Sequence, residues 1–104
     1  MTHELEVQLP QLHHGYEIKW DTEMCKTIAD IICSKLNSKA PTLFKFEAPA
    51  FIVLTFSMPD HLLSCKKLFQ KPLELNEETS FNISVIADPE MRTKLEHREG
   101  EAYI

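Results

Sequence analysis

The residues best able to do chemistry in this chain are two adjacent histidines and a cysteine. His13 and His14 are of the type that ligates metals, and Cys25 beside a histidine would resemble a nucleophile with its base. A metal site, however, needs three or four converging ligands, and neighbours on an extended segment point apart. The histidine pair therefore favours a solvated turn, and we expect no metal and no other cofactor.

The cysteines favour a reduced, non-catalytic chain. They are three in number and show no CxxC spacing. Cys25 and Cys33 fall on one predicted helix, where their spacing corresponds to about 12 Å of rise, too far for a disulfide. Cys25 also lies on the apolar face of that helix, where thiols behave as buried hydrophobic groups. We therefore expect free thiols, no enzymatic activity and a cytoplasmic or nuclear location.

Composition argues against several classes of partner. The chain has 104 residues, a formal net charge of −5 and scattered basic residues, which is unlike a nucleic-acid-binding surface. Gly15 and Gly100 are its two glycines, too few for a phosphate-binding loop. No segment approaches the roughly 20 apolar residues that span a bilayer. We expect neither nucleic acid nor a membrane as a partner.

The elements that would position these residues begin with two alternating segments and a helix. Residues 4–9 alternate apolar and polar side chains, and residues 16–20 do the same after a turn at 13–15. Asp21 and Thr22 then open an amphipathic segment. Apolar residues recur every second position in the first two segments and about every 3.6 positions in the third. This succession predicts a hairpin whose apolar face is covered by a helix.

A second hairpin and a second helix are predicted further along. Residues 42–47 and 51–56 form its strands around a turn at 48–50, and residues 51–56 are apolar on both faces. Such a strand is typical of the interior of a sheet. A helix is expected between 58 and 71, and a last strand at 81–87.

The predicted order is β-β-α-β-β-α-β, which indicates an α+β fold with two candidate architectures. One is a β-grasp, with a mixed sheet over one main helix. The other is a ferredoxin-like sandwich, in which residues 16–87 supply β-α-β-β-α-β and residues 4–9 add an edge strand. Residues 1–88 are expected to form one domain, and residues 89–104 a polar, flexible tail. The chain would be a whole small subunit or the first domain of a longer protein.

The first third of the chain resembles a known family. Over residues 3–37, the succession LEVQLP, turn, YEIKW and DTEMCKTIADIICSKL is similar to the opening of ubiquitin-like domains, closest to the Ras-association and first-FERM-lobe branch. The later ETSFNISVI is similar to the last strand of that fold. The resemblance implies a β-grasp and a small-GTPase effector domain that uses Lys19 and Lys26. Covalent modifier chemistry is not implied, because the chain ends in Glu-Ala-Tyr-Ile rather than Gly-Gly.

These observations predict a protein-interaction module, such as an adaptor or a subunit of a complex, whose partner is another protein or a second copy. Binding would use the edge of the predicted second strand, with Trp20 as an anchor. Alternatively it would use one face of the doubly apolar strand, unless that strand is core. The predicted contact residues are Tyr16, Ile18, Lys19, Trp20 and Lys26 for the first surface, and Phe51, Val53, Leu54 and Phe56 for the second.

Overall fold

The computed structural model describes residues 3–86, which form eight strands, two α-helices and one 3₁₀ turn. The strands are β1 (His3–Gln8), β2 (Leu12–His13), β3 (Tyr16–Glu17), β4 (Leu43–Glu47), β5 (Phe51–Phe56), β6 (Leu73–Glu74), β7 (Ser80–Phe81) and β8 (Ser84–Ile86). The helices are α1 (Thr22–Leu36) and α2 (Pro59–Leu68), with a 3₁₀ turn at Asn37–Lys39. The predicted boundary at residue 88 and the tail at 89–104 lie outside the described residues.

One antiparallel sheet of four strands organises the fold. Its order is β4-β5-β1-β8, and the two remaining strand pairs, β2-β3 and β6-β7, form small separate ribbons. β1 pairs along its whole length with β5, from His3 opposite Phe56 to Gln8 opposite Phe51. On its other side β1 pairs with β8. The expected α+β class is confirmed.

The predicted first hairpin is not formed, because β1 pairs with distant strands instead of residues 16–20. Leu5 and Val7 of β1 lie opposite Leu54 and Ile52 of β5, so each apolar side chain has an apolar cross-strand neighbour. Alternation predicts that a segment is a strand, but it does not identify the partner strand. Every pairing among residues 3–86 is antiparallel, so the mixed sheet expected of a β-grasp is not formed there.

Helix α1 begins where its sequence predicts, and both of its ends are capped. The Asp21 side chain accepts a hydrogen bond from the Met24 amide at 2.8 Å, which satisfies one of the unpaired amides of the first turn. At the other end Asn37 adopts a positive φ of 52°, and its amide donates to the carbonyl of Cys33. Between these caps the helix buries Cys25, Ile28 and Ile32, which share one face.

Strand β5 is the interior strand that its doubly apolar sequence predicts. It lies between β1 and β4, and Ile52, Leu54 and Phe56 point into the core beneath the helices. Leu54 and Phe56 are each 0% exposed. Phe51 faces the other side of the sheet by alternation and is also buried.

Trp20 fastens the segment that connects β1 to α1. Its indole Nε1 donates to the carbonyl of Pro10 at 2.7 Å, and its ring packs edge to face on Phe81 with centroids 5.4 Å apart. His13 contacts the same phenyl ring at 5.0 Å. The short β2-β3 hairpin is thereby attached to the core, although it is not part of the main sheet.

We expect Leu54→Ala to lower the free energy of unfolding by about 2–5 kcal/mol, because it leaves a cavity at a fully buried position. Urea unfolding followed by circular dichroism measures this change. Leu63→Ala is the matched control, because Leu63 is 52% exposed on α2, and a shift within about 0.5 kcal/mol is expected for it. Equal losses in the two variants would contradict the position of Leu54 in the core.

Candidate protein-interaction site

Among residues 3–86, strand β4 is an edge of the main sheet. Among the described strands it pairs with β5 alone, so its outer side carries no ladder from residues 3–86. The other edge, β8, is three residues long, whereas β4 has five. A free edge presents backbone N–H and C=O groups that can pair with a further strand.

An apolar groove runs between β4 and helix α1. Phe44 and Phe46 form one wall, because alternation along β4 turns both rings toward the helix side of the sheet. Cys25 and Ala29, one turn apart on α1, form the other wall. Ile52 from β5, with Thr22 and Lys26 from α1, completes a lining that encloses about 330 Å³.

The groove is narrow and carries little charge of its own. Its volume of about 330 Å³ lies near the lower end of the roughly 300–1,000 Å³ found for ligand pockets. Lys26 is the one charged side chain among the described residues that line it. Such a lining suits the apolar side chains of a peptide, with a cation at the rim.

On the opposite face of β4, a lysine and a glutamate lie side by side. Lys45 and Glu47 form an ion pair of 3.6 Å between Nζ and Oε1, and the lysine side chain is 70% exposed. An exposed pair of this kind contributes little to stability, about 0–1 kcal/mol. The strand therefore presents an apolar face toward α1 and a charged face away from it.

The thiol in the groove wall is not prepared for nucleophilic chemistry. Burial, and then the negative charge of Asp21, raise the pKa of Cys25 from 9.0 to about 11. Burial alone raises the pKa of Cys65 to about 12. Because the thiolate is the reactive form, both cysteines are overwhelmingly protonated near neutral pH.

The first predicted contact surface is only partly accessible. Tyr16 is 79% exposed and Lys19 is exposed, but Ile18 is half-buried and its amide donates to the carbonyl of Gln11. Trp20 is 8% exposed and belongs to the core, so it does not serve as an exposed anchor. Residues 18–20 form no strand and offer no sheet edge.

The second predicted surface is mostly interior. Phe51, Leu54 and Phe56 are at most 1% exposed, so they cannot form a contact surface of the folded chain. Val53 and Thr55 are half-buried on the face of β5 that points away from the helices. The interpretation of residues 51–56 as a core strand is the one that agrees with this burial.

A larger cleft lies at the far ends of the two helices. It encloses about 700 Å³, and Lys35, Lys67 and Lys71 lie around it together with Glu74. Lys35 and Lys67 occupy the last turns of α1 and α2, where a cation offsets the partial negative charge of the helix end. The positions of Lys35 and Lys67 therefore have a physical explanation that needs no ligand.

The predicted turn at the histidine pair is present. His14 and Gly15 both adopt positive φ values, of 51° and 82°, between β2 and β3. Within residues 3–86, no group of three or more histidine, cysteine or acidic side chains is arranged to hold a metal ion.

The groove residues other than Lys26 were not predicted from sequence as contact residues. Phe44 and Phe46 alternate with charged residues in the predicted strand 42–47, but the outer position of that strand depends on where β1 inserts. The available signal was the short strand of alternating phenylalanines and charges, 43–47, which is typical of an edge.

Comparison with known proteins gives no relatives for this chain. No family model matches it, and no curated protein or solved structure is significantly similar to it. No helix in the described part of the chain is long and apolar enough to cross a membrane.

We expect Cys25 and Cys65 to resist iodoacetamide in the folded protein near neutral pH, because both thiols are buried and protonated. Cys33 is half-buried and should be alkylated first. Mass spectrometry of peptides from native protein, with urea-unfolded protein as the control, measures the three rates. Alkylation of Cys25 as fast in the native as in the unfolded chain would contradict this environment.

Proposed function

We propose that this protein is a non-catalytic interaction module that binds an extended segment of a partner protein along the edge of β4. The observation that carries the proposal is the outer side of β4, which pairs with no strand among residues 3–86, together with the apolar groove beside it. Backbone pairing at a sheet edge supplies affinity, and pockets for alternate side chains supply specificity. Both requirements are met between β4 and α1.

The chemistry of the site favours one class of segment. In an added strand, every second side chain would point toward the groove formed by Phe44, Phe46 and Ala29, and these should be apolar. The intervening side chains would lie beside Lys45, which favours an acidic residue. The preferred segment therefore alternates apolar and polar residues and carries at least one carboxylate.

The strand order supports the ferredoxin-like alternative for the fold. The succession β1, α1, β4, β5, α2 and β8 is β-α-β-β-α-β, with residues 3–8 rather than 16–20 as the first strand. In such a sandwich one face of the sheet carries both helices, and the hairpin strand β4 remains at an edge. The binding edge is then a consequence of the topology.

The small-GTPase alternative, which rests on the ubiquitin-like resemblance, stays a prediction. Lys19 and Lys26 are both exposed, and Lys26 lies at the rim of the groove whereas Lys19 does not line it. A GTPase bound at the β4 edge would contact Lys26, so this alternative would use the same site.

The test is a selection of phage-displayed random peptides on the purified protein, followed by affinity measurements on the selected peptides. We expect alternating peptides that bind the native chain and lose at least about tenfold in affinity, equal to about 1.4 kcal/mol, on Ala29→Trp. That indole would fill the groove from the helix side.

Ser34→Trp is the matched control, because Ser34 is exposed on the same helix and does not line the groove. It should bind the selected peptides as the native chain does. Equal affinity of the peptides for the native chain and for Ala29→Trp would overturn the proposal.

A further inference from the structure

We infer that the segment bound at the edge of β4 is β4 of a second copy of this chain, in one defined register. This inference rests on the proposed function, because it uses the same edge and groove. The observation behind it is the sequence of the strand itself, Leu-Phe-Lys-Phe-Glu, whose two charges are opposite in sign and two residues apart.

Symmetry leaves few registers for such a pair. Two copies related by a two-fold axis contact each other through the same residues, and antiparallel strands place facing residues on the same side of the sheet. Because side chains alternate between the two sides, one residue of β4 must face its own copy across the axis, and this residue is the centre of the register. The candidate centres within the strand interior are Phe44, Lys45 and Phe46.

The charges select one of these centres. An axis at Lys45 would place the two lysines directly opposite each other, which is repulsive. An axis at Phe44 would place Lys45 opposite Leu43 of the second copy and form no charge pair. An axis at Phe46 places Lys45 opposite Glu47 of the second copy, and the symmetry repeats this attraction.

The register centred on Phe46 also brings apolar side chains of the two copies together on the helix face of the sheet. It brings the Phe46 rings of the two copies side by side, on the helix face of the sheet, at the mouths of the two grooves. Phe44 lies opposite Ala48 of the second copy, a small residue in the turn just beyond the end of β4. On the other face, the intrastrand pair of Lys45 and Glu47 joins the two cross-strand pairs in a network of four alternating charges.

The resulting assembly would be a continuous antiparallel sheet of both copies, ordered β8-β1-β5-β4 and then the same strands in reverse. The paired stretch is short, because in the register centred on Phe46 only residues 45–47 of one β4 face residues of the other β4. We therefore expect an association that depends on protein concentration and weakens with added salt.

The experiment is sedimentation velocity of the full chain over a wide range of concentration, with charge-swapped variants. The native chain should form dimers. Lys45→Glu and Glu47→Lys should each weaken the dimer at least about tenfold, because each replaces two attractive contacts with two repulsive ones. The double variant, Lys45→Glu with Glu47→Lys, should restore the dimer, because the four-charge network is rebuilt with the signs exchanged.

Circular dichroism and the urea midpoint of each variant report folding separately, and recovery in the double variant excludes a general loss of structure. A native chain that stays monomeric at every concentration would overturn the inference. So would single variants that dimerise as well as the native chain.

The two proposals fail in distinguishable ways. If the chain stays monomeric but the selected peptides lose affinity on Ala29→Trp, the proposed function stands and the segment bound at the edge of β4 belongs to another protein. If the chain stays monomeric and Ala29→Trp has no effect on peptide binding, both proposals fall.

Discussion

The antiparallel pairing of β1 with β5 is the constraint on which the rest of this structure depends. It joins two segments some fifty residues apart in the chain over six consecutive positions, from His3 and Phe56 to Gln8 and Phe51. It places Leu5 and Val7 beside Leu54 and Ile52, and this apolar row is the floor on which both helices pack. With β1 and β5 at the centre, β8 and β4 become the two edges.

The candidate binding site follows from that arrangement. Because β1 pairs with one side of β5, β4 pairs with the other side and lies at the edge of the described sheet. A pairing of β1 with residues 16–20 would not produce this order. Strand β5 therefore pairs with a strand on each side, and within the described part of the chain no strand pairs with the outer side of β4, beside α1. Soluble proteins commonly protect such edges with short strands and lysines. Both devices are present, because β4 has five residues and its Lys45 side chain is exposed.

The groups that suggested chemistry serve the packing of the domain. Trp20 bonds to the carbonyl of Pro10 and packs on Phe81, so the long connection between β1 and α1 is held against the core. Cys25 and Cys65 lie in apolar surroundings that raise the pKa of both thiols. His13 contributes a ring contact to Phe81, and His14 lies in the turn beside it. Burial and ring packing account for the positions of Trp20, both cysteines and His13.

The start of α1 and the second hairpin can be predicted from local sequence patterns alone. Asp21 and Thr22 predict the start of α1, the strand-like segments 42–47 and 51–56 predict the second hairpin, and the two apolar faces of 51–56 predict an interior strand. These features follow from short-range stereochemistry and from the periods of strand and helix, which a single segment contains.

Long-range packing sets which strands are neighbours, and it places Trp20 in the core and β4 at an edge of the described sheet. Alternation in residues 4–9 and 16–20 fits several partners equally well, because any strand with an apolar face can bury it against another. In this fold β1 lies between β5 and β8, and its apolar side chains, Leu5 and Val7, are buried in the common core. The groove arises from that arrangement, since its walls come from α1, β4 and β5, which are distant in sequence and meet only after folding.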